Sequence, residues 1–392
     1  MSRLHALWIR RRTDLLFWTV CAASFLLTYI SYVKWFRLYY PDSRYYLART
    51  FLFLGNSPEA ARDLTLAYSA PRNIAVPDID LLFGWGLVQP RVVLPALSTP
   101  FVAWFGPEGL AVVPLIATVV GVTLMIVMVR RRFGTLPALT VALLTNLSMF
   151  LVSFETGMLT ESLSSLFTVL ALVAAWRWLR DPRPWHLVVM GGVTVLSAFT
   201  RQATFIVGGA FLLAWLLDMV VQRRWRSRWM WPGVVVAGTA VACQLLQSIV
   251  FPSFSQADQF TTQTGTHSLG AAILAAPGLL IQIIKADVLS MMRNDRALLV
   301  LICLAIAGMI LFWRRVEAHL LFGALLATGL YNVTNGTPTA FRYATPGLVF
   351  WVLCAAMTIA ATATWIKRAG GRDSAEGPMV PAAGDAAEAG AR

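Results

Sequence analysis

Ten apolar stretches, nearly free of charge, divide this chain, and they make a lipid bilayer the solvent that the fold must satisfy. They cover residues 15–33, 110–129, 136–153, 160–179, 187–200, 203–220, 232–250, 297–313, 318–333 and 345–366. About 18 to 20 apolar residues cross the hydrocarbon core as a helix. In lipid, only helices and closed barrels pair every backbone polar group. Of the residues, 58% are hydrophobic and 13% charged, against about 25% charged in a soluble domain. The expectation is an all-α, polytopic membrane protein with about ten transmembrane helices.

Basic residues punctuate the pattern. Arg10-Arg11-Arg12 precedes the first stretch and Arg130-Arg131-Arg132 follows the second. Arg177, Arg180 and Arg183 follow the fourth, and Arg223, Arg224, Arg226 and Arg228 follow the sixth. Arg314-Arg315 follows the eighth and Lys367-Arg368 the tenth. Cytoplasmic loops retain Lys and Arg, so both termini are expected in the cytoplasm of a multi-pass protein, with a bacterial plasma membrane the expected location. The formal charge of +13 lies mostly in these short loops, which argues against nucleic-acid binding. No cleavable signal peptide is evident, and the first stretch is long enough to stay as a signal anchor. Cys21, Cys243, Cys303 and Cys354 each lie in an apolar run and read as small buried hydrophobes without zinc or disulfide spacing.

Two long loops then face outward, residues 34–109 and 251–296. The apolar segment 92–105 is short and broken by Pro95 and Pro100, and 269–284 is short too. Both read as interfacial or surface helices. Residues 1–366 form the membrane domain, and 367–392, rich in Ala, Gly, Pro and acids, read as a disordered cytoplasmic tail. No internal repeat is visible.

Ionisable groups gather on the outer side. Asp42 stands in Tyr39-Tyr40-Pro41-Asp42-Ser43-Arg44-Tyr45-Tyr46, where a carboxylate could serve as a general base or simply cap a helix. A helix over 42–50 puts Asp42, Tyr45, Tyr46 and Arg49 on one face. Asp78 and Asp80 form a D-x-D pair that could hold a divalent cation or sit in a solvated turn. Glu161 heads an apolar helix, where it favours the dipole or lines a cavity, since ionisable groups in a membrane are costly and often functional. Arg201 and Arg342 are arginines on the outward side, suited to bind phosphate or to pair with Glu161 or Asp42. His267 and Lys285 add donors from the second outer loop. Asn332-Val333-Thr334 and Asn335-Gly336-Thr337 match a glycosylation pattern and read as chance.

The order of these features resembles the GT-C superfamily of membrane glycosyltransferases that use polyprenyl-phosphate sugars. Asp42-Ser43-Arg44-Tyr45-Tyr46 is similar to its first-loop motif, and Arg91 to Pro95 to an R-x-x-x-P stretch in the same loop. Thr160-Glu161-Ser162-Leu163 resembles the opening of a middle span in mannosyltransferase branches, and Arg342-Tyr343 with Pro346 a late Arg-Tyr segment. The chain lacks the adjacent Asp-Glu pair of some branches, which leaves mannose and arabinose both open, mannose favoured by the Thr-Glu-Ser-Leu likeness.

The resemblance implies an inverting transfer. Asp42 would deprotonate an acceptor hydroxyl of a lipid or glycan. Arg201, Arg342, Lys285 and His267 would hold the donor phosphate. Arg44, Tyr45, Tyr46, Arg91, Glu161 and Tyr343 would line the substrate cavity. No cofactor is required, with a metal at Asp78 and Asp80 as the alternative. The competing function is a transporter or flippase of a lipid-linked saccharide, which would need polar or broken helices at the midplane.

Overall fold

In the computed structural model, which describes residues 3–35, 38–223, 226–251 and 255–373, every regular element is helical. The long segment after α1 (Arg3–Trp35) carries α2 (Ser43–Phe53), α3 (Pro58–Ser69) and α4 (Ile79–Gly84). Then follow α5 (Val93–Phe105), α6 (Val112–Phe133), α7 (Thr135–Asn146), α8 (Met149–Thr156), α9 (Glu161–Arg180) and α10 (Pro184–Ala198). Next come α11 (Thr204–Gln222), α12 (Met230–Val250), α13 (Gln256–Thr264) and α14 (Leu269–Asn294). The last are α15 (Arg296–Leu311), α16 (Val316–Asn335) and α17 (Leu348–Asp373), the last entered through a 3-10 segment, Arg342–Gly347.

Among the described residues, eight helices are long and apolar enough to cross a membrane, or nine if the α7–α8 pair counts as one span. This is fewer than the ten expected, for local reasons. The fifth and eighth expected spans are the shorter apolar helices α10 and α15. Conversely, α14 is longer than the short helix that 269–284 suggested, and long and apolar enough to be counted among the eight. It runs 26 residues, because Lys285, Asp287 and Arg293 continue the helix instead of breaking it. The third span is bent by 72° between α7 and α8. Asp295 stabilises that bend: its carboxylate accepts from Ser148 Oγ at 2.6 Å and Phe150 N at 2.8 Å, and also caps α15 through Leu298 N at 3.0 Å. The helix expected to end at 366 continues to Asp373, and the rest of the expected tail, 374–392, lies outside the described residues. Cys303 is exposed, while the other three cysteines are buried.

Residues 93–111 double back. A Cβ on Gly109 would fall 2.2 Å from the carbonyl oxygen of Phe101. Residues eight apart in a straight helix are separated by roughly 12 Å, so α5 does not run on into α6. Small residues also set the closest helix crossings. A Cβ on Gly323 of α16 would lie 2.6 Å from the Gly209 oxygen on α11, and one on Gly308 of α15 would lie 2.1 Å from the Cys354 oxygen on α17. Without a hydrophobic drive between helices in lipid, such close backbone approach supplies the packing.

The bundle segregates its charges. At one end Arg130 pairs with Asp14 and Arg132 with Glu317, joining α1, α6 and α16. At the other end of these helices lie Asp42, Glu161, Arg201 and Arg342.

Candidate active site

The segment between α1 and α5 is fastened to the start of α9. Ser43 Oγ donates to the Met158 oxygen at 2.8 Å, and Met158 N donates to the Leu38 oxygen at 2.9 Å. Gly157 permits this contact, since a Cβ there would sit 2.7 Å from the Tyr40 ring. Asp42 is thereby brought beside Glu161. Its carboxylate makes no capping bond to α2, so the capping reading does not describe this residue.

Arg342 joins the two carboxylates. Its Nη2 donates to Asp42 Oδ2 at 2.6 Å, and its Nε donates to Glu161 Oε1. Arg201 Nη1 reaches the same Glu161 oxygen at 2.5 Å as an ion pair, but without the angle of a hydrogen bond, and both Nη1 and Nε of Arg201 lack a hydrogen-bond partner. Glu161 is fully buried and Arg201 only 1% exposed. Burial opposes the Arg201 charge, and the neighbouring Glu161 carboxylate more than offsets it, raising the guanidinium pKa further. Thr160 Oγ1 and Glu161 Oε2 are buried without partners, and Thr160 does not cap α9.

The backbone before Arg342 is unusual. Ala340 and Phe341 both have positive φ, 49° and 77°, a region costly for residues with a side chain and often found at functional sites. Asp287 of α14 stabilises this turn by accepting from Ala340 N at 2.7 Å. From the other side, Ser165 Oγ bonds the Thr345 oxygen at 2.9 Å and Glu155 Oε1 at 2.6 Å.

Over this network lies a cavity of about 170 Å³ lined by Asp42, Trp85, Leu87, Val88, Arg91, Arg201, Gln259, Tyr331, Asn335 and Tyr343. Six separate segments contribute to it. Arg91 is held by Tyr46, its Nη1 donating to the Tyr46 hydroxyl at 2.9 Å, while its Nε has no partner. Tyr45 backs the cavity by packing on Trp85, ring centroids 5.0 Å apart. Tyr343 lies under Arg201, whose Cζ is 5.2 Å from the ring.

Other expected residues lie elsewhere. Arg44 is tied to the Ala75 oxygen and the Tyr45 hydroxyl, outside the lining. Arg49 is bound to the Gln89 and Phe83 oxygens. Arg342 and Glu161 stand behind the lining. Lys285 and His267 are exposed and do not line the cavity. Asp78 caps α4 by accepting from Leu81 N at 3.0 Å, and no group of three His, Cys, Asp or Glu placed to hold a metal occurs among the described residues.

Several lining residues had no signal in the sequence reading. Asn335 belongs to the polar end of α16 that matched a glycosylation pattern. Its Oδ1 accepts from Gln259 Nε2 at 3.3 Å, which carries α13 over the cavity. Trp85, in the run Gly84-Trp85-Gly86, showed no periodicity to mark it.

A family model described as dolichyl-phosphate-mannose-protein mannosyltransferase matches residues 97–246. That stretch holds Glu161 and Arg201, while Asp42 and Arg342 lie outside it. No curated protein matches the chain.

Proposed function

We propose that the chain is a GT-C membrane glycosyltransferase of the mannosyltransferase family whose model matches residues 97–246, and that it moves a mannosyl group from a polyprenyl phosphate to an acceptor hydroxyl, with Asp42 as general base. The single observation that carries this reading is the Asp42–Arg342–Glu161–Arg201 chain of contacts beneath one cavity.

The acceptor O–H would give its proton to Asp42. Arg342 engages Oδ2 and orients the carboxylate, while Oδ1 accepts no hydrogen bond among the described residues. The acceptor oxygen forms a bond to the anomeric carbon as the carbon–oxygen bond to phosphate breaks. The electron pair leaves with the lipid phosphate, and the configuration inverts.

The leaving phosphate is best met by Arg91 and Arg201, the two arginines that line the cavity. Arg342, occupied by two carboxylates, acts on Asp42 instead. Arg201 and Arg342 contact Glu161 and Asp42 directly, two charges against two, and Arg91, bonded to the Tyr46 hydroxyl, adds a further positive charge to meet a developing anion. Preorganised charge of this kind, shielded from water, is a large source of rate. Gln259 and Asn335 are placed to bond sugar hydroxyls. Arginine clusters at the opposite end of the bundle support an extracytoplasmic site.

The test is transfer from a polyprenyl-phosphate mannose donor by the purified full chain in lipid nanodiscs. Asp42→Asn should cut the rate by about 10²- to 10⁴-fold, the range for a lost general base, with the donor still bound. Wild-type turnover in that variant would remove Asp42 from the role.

A further inference from the structure

A second cavity, about 600 Å³, opens at the far end of α9 between α6, α9 and the start of α10. Glu161 and Arg180 close the two ends of α9, 20 residues in all. At 1.5 Å per residue the cavity mouth is roughly 28 Å from the Glu161 network, so it is a separate site.

Its chemistry is divided by depth. Arg131, Arg177 and Arg180 stand at the mouth, and Leu124, Val127 and Val173 line the inner wall. Leu124 lies seven residues before Arg131 on α6, about 10 Å deeper along the helix. Trp176 lies between the two zones, with Arg132 stacked at 4.9 Å from its ring. Arg132 is committed to Glu317. The one acid of the lining, Asp181, is paired with Arg183 at 2.5 Å. Arg131, Arg177 and Arg180 have no carboxylate partner among the described residues. Trp185, 67% exposed beside them, is the residue type that settles at the membrane–water interface.

Three unpaired guanidiniums above an apolar wall, at the end of two spanning helices, match one ligand class. We propose that this cavity binds the phosphate headgroup of an anionic glycerophospholipid, with its acyl chains along Leu124, Val127 and Val173. Basic pockets between transmembrane helices recognise such headgroups, and the guanidinium fork bonds phosphate oxygens in pairs. The proposal does not depend on the reaction assigned to Asp42.

Native mass spectrometry of the full-length protein, supplied with equal phosphatidylglycerol and phosphatidylcholine, tests it. Wild type should retain phosphatidylglycerol selectively. Arg177→Gln with Arg180→Gln should lower that retention roughly thirtyfold, given the headgroup attraction of each arginine. Arg131→Gln, on the facing helix, should lower it independently. Arg223→Gln with Arg228→Gln, in another basic loop, should leave it unchanged. Equal loss in the loop variant would mean diffuse surface charge and overturn the site. Full retention in the cavity variants would overturn it as well. Inorganic phosphate that displaces the lipid at equal concentration would make this a free-anion site and overturn the lipid assignment. Unchanged melting temperatures exclude misfolding as the cause of any loss.

Discussion

Asp287 on α14 accepts the backbone N–H of Ala340 at 2.7 Å, and so sets the course of the chain two residues before Arg342. That amide lies in a turn whose Ala340 and Phe341 have positive φ. Asp287→Ala should leave it unsatisfied and release the turn. Orphaned buried donors cost about 1–3 kcal/mol, and we expect a lower melting temperature together with at least a tenfold fall in transfer rate. Asp287→Asn, which keeps an acceptor oxygen, should retain most of both. If Ala and Asn prove equally active, the turn does not govern Arg342.

Glu161 bears two arginines in a fully buried position. Glu161→Gln would leave Arg201 and Arg342 short of a counter-charge, and breaking a buried pair costs about 3–5 kcal/mol. The paired change Glu161→Gln with Arg201→Gln should cost less than the two single changes summed, by more than about 0.5 kcal/mol. A chemical-denaturation cycle on the detergent-solubilised protein reads this directly, and strict additivity would mean that the two residues do not share their charge.

The chain reversal at 101–109 leaves no room for a side chain at Gly109. The blocking atoms are backbone, which cannot rotate away. Gly109→Ala should therefore destabilise by about 1–3 kcal/mol, as overpacking does. Gly192→Ala, where nothing lies within 4 Å of the added Cβ, should be neutral in the same thermal scan. Similar scans for both variants would show that α5 can move away from residue 109.

Gln259 and Asn335 touch each other across the cavity. Loss of either side chain should weaken sugar selection more than turnover. We expect Gln259→Ala and Asn335→Ala each to raise KM for the sugar donor by about tenfold, within the range of a lost hydroxyl contact, with kcat changed less. Competition between donors carrying different sugars shows whether discrimination falls. A pure kcat loss would instead place these residues with the reacting groups.

Much of this architecture is legible without coordinates, because its causes are local. Apolar run length marks the spans, and arginines after every second span mark one end of the bundle. Asp42, Glu161, Arg201 and Arg342 attract notice because each is an ionisable group next to an apolar run. The span count was less accessible. Whether Lys285 and Asp287 end a helix or ride within it depends on what packs around them, and the α7–α8 bend depends on Asp295, well over a hundred positions away. Lys285 and His267 are suitable donors by residue type, yet only their placement shows that they stand apart from the cavity.

Sequence alone determined that the polypeptide must live in a bilayer as helices, and that Asp42, Glu161, Arg201 and Arg342 stand beside apolar runs, since hydropathy and charge belong to each residue wherever it sits. Tertiary structure decided that Arg342 is shared between Asp42 and Glu161, that Arg91 rather than Lys285 opens onto the cavity, and that Trp85, Gln259 and Asn335 enclose it. Those relations join residues as many as 300 positions apart. They depend on how closely glycine-lined helices approach, a property of pairs of helices that no single stretch of sequence contains.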